Sequence, residues 1–339
     1  MAVGYTPAVE IYGASAALIN SRLIDWEITD AAGIESDQLK LTVNTEGLEG
    51  LPNAGGKIGI RIGYKETGLV DKGEFIISRR TPNLFPSRLL IVATAAPFTH
   101  TDDAGFRARR SASHGPTTLG ALFRELTSKY GFSPRVAPEL ALLKIEHVDQ
   151  SNETDMAFLT RLAGQYDAVT KPVNDVYVLA RRGQVKSLSG KILPDVPISV
   201  TEDNHPGSRS FIAASIDDDA RIKFRGCKTT WWDGESGKEC IVEVGAEPFK
   251  KVRQRYQGEA EAKAAAEGES RKMEREAVKL RVDCPGNPDL AAEGLALLDA
   301  TWPSFMQGRW SIDKVTHSGS RQQSFRSSFE ASYPGGKKD

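Results

Sequence analysis

Acid–base or metal chemistry would have to start from five histidines, His100, His114, His147, His205 and His317. None stands at the H-x-x-x-H or H-E-x-x-H spacing that brings two imidazoles to one helix face around a zinc ion. His317 ends an expected strand, where a histidine more often packs and hydrogen-bonds than acts as a general base. Asp217-Asp218-Asp219 gathers carboxylates, but it lacks the spaced ligands and following Glu of a calcium loop and reads as a solvated turn. Ser324, Ser327 and Ser328 have no flanking glycines to build a nucleophile elbow. A glycosidase needs two carboxyl groups facing each other across a sugar cleft. Glu125 and Glu153 instead begin or line expected helices, where carboxylates cap or solvate. Gly55-Gly56-Lys57 lacks the G-x-x-x-x-G-K-[ST] spacing of a phosphate cradle and reads as a turn. Cys227, Cys240 and Cys284 form neither a C-x-x-C pair nor an even-numbered framework, which predicts reduced thiols. These residues suggest no catalytic, cofactor-binding or metal site, so the expectation is a chain that binds rather than catalyses.

Charge narrows the class of partner. Lys and Arg total 44 against 45 Asp and Glu, for a net charge of -1, so no global basic field favours nucleic acid through counterion release. No stretch approaches the roughly 20 apolar residues that span a bilayer, and the N-terminus lacks a basic region followed by an apolar run. Both features predict folding in a cytoplasm without membrane insertion. Two local basic runs remain. Arg107, Arg109 and Arg110 read as a solvated loop in preference to a face for an acidic partner. Lys250-Lys251-Val252-Arg253-Gln254-Arg255 fits an exposed face or a contact with an acidic assembly neighbour equally well.

At 339 residues the chain needs two or three compact domains. Its first hundred residues carry β patterning. Leu39, Leu41 and Val43 alternate with polar neighbours, and Ile58, Ile60 and Ile62 share one strand face. Gly59 and Gly63 fall on the other face, where another group can approach closely. Phe75 to Ser78 and Leu89 to Ala93 read as further strands, with Gly- and Pro-containing turns between them, the signature of a barrel or sandwich. After Pro97 the period changes. Thr117 to Tyr130 predicts a helix with Leu119, Leu122, Phe123 and Leu126 on one face, stopped by Gly131. A second helix is expected from about Glu153 to Tyr166, with Asn152 as its N-cap and Asp155 as the capping-box partner. From about Gly190 β signals return, broken by Tyr256 to Leu280. That segment is rich in Ala, Glu, Lys and Arg and reads as an exposed helix projecting from its domain and ordered only by outside contacts, or else as a solvated helix that links two strands.

An internal repeat underlies the β regions. Gly73-Glu74-Phe75-Ile76-Ile77-Ser78-Arg79 resembles Gly308-Arg309-Trp310-Ser311-Ile312-Asp313-Lys314, an offset of 235 (308 less 73), and Leu90 to Thr94 meets Phe325 to Phe329 at the same offset. The two copies are expected to superpose, with Phe75 and Trp310 on equivalent strands. A weaker match sets Trp26 to Asp30 against Trp231-Trp232-Asp233 at an offset of 203 (233 less 30). The difference is close to the length of the charged helix, so the second copy reads as the first with a helix inserted.

Three groups of residues together resemble the late control protein D family of tailed phages and phage-derived tail-like bacteriocins. The first is Asp37-Gln38-Leu39, Gly59 to Tyr64 and Gly73-Glu74-Phe75. The second is Asp149-Gln150-Ser151-Asn152-Glu153-Thr154-Asp155 with Phe158-Leu159 and Leu162-Ala163. The third is Gly308-Arg309-Trp310 through Val315-Thr316-His317, then Phe325 to Glu330. The resemblance implies an α+β chain with two related tube-like β-barrels, a small inserted α/β module and a helical insertion in the second barrel. The expected boundaries are 1–98 for the first barrel, completed by 190–222; 99–189 for the module; 223–333 for the second barrel, with its helical insertion at about 250–280; and a loose tail at 334–339. It further implies the central hub of a contractile-tail baseplate: a homotrimer that adapts a threefold spike to a sixfold tail tube. The implied partners are the tail spike, a tail tube or tube-initiator protein, a tape-measure protein and other baseplate proteins. The implied location is a virion or tail-like particle assembled in the bacterial host cytoplasm. The competing readings are the hub part of a secretion-system spike and a tail-associated cell-wall hydrolase.

Overall fold

The alternating segments become strands whose apolar residues face inward. Leu39 and Leu41 are fully buried, as are Ile60 and Ile62. Behind that isoleucine face, Gly59 lies under the Tyr12 ring, and a Cβ there would fall 2.0 Å from the ring. This is the close approach the glycine predicts. The structure is a computed structural model that describes residues 5–32, 37–48, 50, 52, 55–94, 108–173, 176–183, 194–218, 224–321 and 324–333.

The chain begins with β1 (Pro7–Gly13), α1 (Ala16–Arg22), β2 (Leu23–Ala31), β3 (Gln38–Asn44), β4 (Lys57–Tyr64), β5 (Gly68–Asn83) and β6 (Arg88–Thr94). A mixed segment follows: β7 (Arg110–His114), β8 (Thr117–Thr118), α2 (Leu119–Ser128), β9 (Ser133–Val136), α3 (Pro138–Ala141) and β10 (Lys144–Ile145). It continues through β11 (Val148–Glu153), α4 (Asp155–Gly164), β12 (Ala168–Val173) and β13 (Val176–Arg181). Next come β14 (Asp195–Ile198), β15 (Ala213–Asp218), β16 (Arg225–Asp233), β17 (Lys238–Ala246), β18 (Phe249–Tyr256) and α5 (Glu259–Glu276). The described elements end with β19 (Val278–Pro285), β20 (Leu295–Leu298), β21 (Gly308–Ser320) and β22 (Ser324–Ser332).

Two compact units emerge. One joins Met1–Thr99, Leu193–Ile216 and Leu280–Ser332; the other joins His100–Ile192 with Asp217–Lys279 and the last residues. The first unit holds a 12-stranded sheet whose N-terminal strands run β1-β4-β5-β6-β3-β2 and whose C-terminal strands run β14-β20-β21-β22-β19-β15. Counted along the chain within each half, both read first, fourth, fifth, sixth, third, second. The irregularities repeat as well. The β5–β6 ladder slips between Ile77 and Arg79, and the β21–β22 ladder slips between Ile312 and Lys314. Ile77 exchanges backbone hydrogen bonds with Gly55 and Gly56, as Ile312 does with Glu293 and Gly294. Gly55 and Glu293 both have positive φ, 78° and 63°. Bulges arise from specific local geometry, so a shared bulge at the 235-residue offset supports the duplication more strongly than strand content does. Phe75 and Trp310 sit on the equivalent strands β5 and β21 and are 2% and 0% exposed. One difference is that β1 pairs β4 antiparallel whereas β14 pairs β20 in parallel.

Two expectations change. Residues in 190–222 do not complete the N-terminal strand set: β14 pairs β20 and β15 pairs β19, so they open the second set. The weaker Trp26/Trp231 match is not an equivalence either. By strand order β15 is the counterpart of β2, while β16 lies at the centre of a separate sheet, β17-β16-β18. The inserted stretch is therefore 219–277, and its described part carries three strands as well as the helix.

In the second unit α2 and α4 bury their apolar faces in one core with Tyr166, Tyr177 and Leu179. Tyr256, Ala262 and Ala265 belong to that same core, so residues expected in a second barrel pack instead with the 99–189 module. Helix α5 is accordingly not an exposed projection. Ala262, Ala265, Ala266 and Gly268 are buried along one side, and a Cβ on Gly268 would come within 2.9 Å of the Tyr166 backbone. Small side chains let the helix lie close, which supplies the packing that large apolar groups usually provide. Further along, Arg275 makes a buried ion pair with Asp167.

Candidate functional site

The join between the two strand sets is where the first unit concentrates its buried polar groups. Strand β2 pairs antiparallel with β21, from Asp25 opposite Ser320 to Ala31 opposite Lys314. Trp26 packs on Phe325 with ring centroids 5.5 Å apart, and Tyr64 lies 5.6 Å from the same ring. Gly319, opposite Trp26, leaves no room for a side chain: a Cβ would meet the Ser324 carbonyl at 2.3 Å and the indole at 2.9 Å.

A loop after β19 is pinned across this join. The Tyr64 hydroxyl donates to the Gly286 carbonyl at 2.8 Å, and Lys72 Nζ donates to the Leu290 carbonyl at 3.1 Å. The Ala292 amide donates to Asp30 at 2.9 Å. From the second strand set, His317 Nε2 donates to the same Leu290 carbonyl at 3.0 Å. Its Nδ1 accepts from the Ser327 hydroxyl at 2.8 Å, and Ser327 Oγ in turn accepts from the Asn287 amide at 2.9 Å. These partners fix one neutral tautomer. Burial, then the nearby Lys72 ammonium, push the imidazole down to about 4. Burial also lowers the Lys72 ammonium, against the pull of Asp30 and Asp289. Both nitrogens of His317 are thus engaged within the fold, Nε2 by the Leu290 carbonyl and Nδ1 by the Ser327 hydroxyl.

The second unit has its own polar centre at Asp155. Arg110 Nε and Nη2 donate to it at 2.6 and 3.0 Å, the Tyr130 hydroxyl at 2.7 Å and Gln150 Nε2 at 2.8 Å. Burial alone would raise this carboxyl; the bonds from Arg110, Gln150 and Tyr130 outweigh it and hold it below the usual carboxylate range. The Asp149–Asp155 segment thus anchors the start of α4. Its N-cap is Thr154, whose hydroxyl accepts from the Ala157 amide; Asn152 has a left-handed φ of 48° and Asp155 is the first helical residue. The expected Asn152 cap was therefore two residues early. Arg110 is an internal ligand and not part of a solvated loop, and Arg107 lies outside the described residues.

The other singled-out residues are dispersed. His114 stacks on Phe158, His147 meets Asp149 at 3.2 Å on the surface, and His205 accepts from the Gly207 amide; His100 is outside the described residues. Glu125 pairs with Lys129 and Glu153 with Arg161. Gly55 and Gly56 form the turn onto Ile77. Asp217 and Asp218 lie on strand β15 and not in a turn, with Asp219 outside the described residues. Lys250 to Arg255 form part of β18, where Lys250 pairs with Glu269 and Arg255 with Glu239. All three cysteines are free, Cys227 and Cys284 buried. Among the described residues no group of three or more His, Cys, Asp or Glu could hold a metal ion, and no helix is long and apolar enough to cross a membrane.

The chain is 35% identical over 189 residues, 55% of its length, to the probable baseplate hub protein of Escherichia phage P2. It spans about half the length of the curated relatives it matches, 48% of the P2 protein and 46% of its counterpart from phage 186. Its fold is similar to that of a tail protein from Neisseria meningitidis MC58, with a TM-score of 0.64, 12% identity and 97% of each chain covered. It is also similar to the E. coli c3393 protein, a component of the type VI secretion system, with a TM-score of 0.54, 11% identity, and 91% and 73% of the two chains covered. Residues 107–323 match the profile of the phage tail baseplate hub (GPD) family, and the chain belongs to that family.

Proposed function

We propose that this protein is the central hub of a contractile phage-type baseplate, a non-enzymatic trimer that adapts a threefold spike to a sixfold tail tube. The observation that carries this reading is the repeated strand order, with the two sets joined through β2 and β21. Three chains with two similar strand sets each present six similar surfaces, which a sixfold ring can match and three cannot. Each strand set forms one tube-like barrel in this reading. The spike, the tube or its initiator, the tape-measure protein and other baseplate proteins are its partners, and the particle is its location.

Native mass measurement of the purified chain, alone and with the spike protein, tests this directly. A species of three times the chain mass is expected. Only monomer at high concentration with spike present overturns it. The fold likeness to a secretion-system component favours a second reading, the hub of a secretion spike. Recovery of the chain from particles that contain a tail sheath and tube separates the two. Cell-wall cleavage in a gel impregnated with peptidoglycan would overturn the non-enzymatic assignment.

A further inference from the structure

Within one chain, β21 is flanked on both edges. Ser311 pairs with β20 on one side and β22 on the other; beyond it, β22 continues along one edge and β2 takes the other, from Lys314 to Ser320. Its counterpart β5 has only half of this arrangement. Ile76 pairs with β4 on one side and β6 on the other, and β6 continues to Asn83. Among the described residues no strand takes the opposite edge of β5 from Arg79 to Asn83. The counterpart of β2, which is β15, pairs with β19 and ends the sheet. The chain therefore uses one joint internally and displays the two separate halves of an equivalent joint.

We propose that β15 of one copy adds antiparallel to residues 79–83 of β5 in a second copy of this chain, repeating between chains the β2–β21 pairing. This rests on the hub reading for the number of copies that closes the ring. The register follows from the internal joint. Aligned on their shared Ile-x-Asp pattern, Ile28-Thr29-Asp30 is set against Ile216-Asp217-Asp218, and the β21 residues opposite the former, His317, Thr316 and Val315, correspond at the 235-residue offset to Pro82, Thr81 and Arg80. The acidic strand end at Asp217 and Asp218 then meets the basic run Arg79-Arg80, a complementary pairing of charge.

The hairpin tip supports the same partner. The turn between β21 and β22 is held where Arg321 donates to the Ser21 carbonyl at 2.8 Å, just ahead of β2. The equivalent turn between β5 and β6 carries Leu84 and Phe85, 79% and 96% exposed. In the proposed contact the partner's segment just ahead of its β15, which carries the half-buried Phe211, covers them. Pro82 has no N–H to offer, which shortens the backbone ladder and disfavours open-ended addition of unrelated strands. The contact is head-to-tail, so its repetition makes a ring where the rotation closes.

Chains that each carry one cysteine added to the native three test this in the full-length protein, with the unsubstituted chain as the control for Cys227, Cys240 and Cys284. Thr81 and Asp217 are both exposed, and residues directly opposite on antiparallel strands lie at Cα separations a disulfide can span. Oxidation of a mixture of Thr81→Cys and Asp217→Cys chains should give a mixed cross-linked dimer that neither variant nor the unsubstituted chain forms. A chain with both substitutions should give a covalent trimer. As an independent measurement, Asp217→Arg/Asp218→Arg should weaken self-association at least tenfold, and adding Arg79→Asp/Arg80→Asp to the same chain should restore it, because every contact of the ring is then complementary again. An oligomer of normal mass with no mixed cross-link overturns this interface and leaves the hub reading standing. Cross-linking of Asp217→Cys chains to one another overturns it too, in favour of a two-fold contact. A chain that stays monomeric with spike present overturns both.

Discussion

His317 is a buried imidazole with both nitrogens hydrogen-bonded inside the fold. Its imidazole is kept neutral by burial and by the Lys72 ammonium, while the Leu290 carbonyl and Ser327 hydroxyl occupy both nitrogens. The folded value of about 4 lies below the ordinary value of 6.5, so the unfolded chain takes up the proton first as pH falls. The stabilisation is therefore present above pH 6.5 and is lost between there and about 4, by about 1.4 kcal/mol per pH unit and about 3 kcal/mol in all. Chemical denaturation across that range should show a flatter acid-side decline in His317→Asn than in the parent chain. At Asp155 the loss would be of partners. Asp155→Ala strands Arg110, Tyr130 and Gln150 around an empty site, and a destabilisation of about 2–4 kcal/mol is expected in equilibrium unfolding. Arg110 is partly exposed, so the upper end of that range belongs to a more buried pair.

At the scale of elements, α5 is the instructive case. Its low content of large apolar residues suggests a solvated helix, yet Ala262, Ala265, Ala266 and Gly268 line a face that packs closely. The signal was present as small residues at helical spacing; large-side-chain amphipathicity does not register it. Gly268→Val should clash with the Tyr166 backbone and cost about 1–3 kcal/mol, read as faster hydrogen exchange in α5 and the β16–β18 sheet. Burial pushes the carboxyl of Glu261 on the same helix up to about 7, so in the folded chain it keeps its proton through the mildly acidic range. Here the sign reverses: the unfolded chain loses its proton first, so stability falls as pH rises from about 4.5 to 7. Glu261→Gln should remove that fall, by at most about 3 kcal/mol, in the same denaturation series.

At the scale of the whole molecule, two units with separate cores should respond separately to damage. Trp310 is fully buried and bonded through Nε1 to the Met306 carbonyl, so Trp310→Ala should cost about 3–5 kcal/mol in the first unit. Arg275→Ala leaves Asp167 buried without its cation in the second, and about 3–5 kcal/mol is expected there. Hydrogen exchange should place each loss within its own unit, and the double variant should be close to additive. A single transition weakened equally everywhere by either change would mean that the units do not unfold independently.

The sequence by itself determined the period-2 strands, the α2 and α4 helices, the close approach at Gly59 and the Phe75/Trp310 repeat, because each rests on side-chain pattern within a few residues. The tertiary structure decided which strand meets which. Residues 219–277 separate β15 from β19, and the short β15 has too little apolar pattern to announce its kinship with β2. Strand pairing depends on backbone groups that every residue carries alike, so long-range partners leave little trace in residue type. Thr154 took the helix cap from Asn152 for a related reason. Both residue types can cap, and the Arg110–Asp155 anchor, formed across 45 positions, sets where α4 begins.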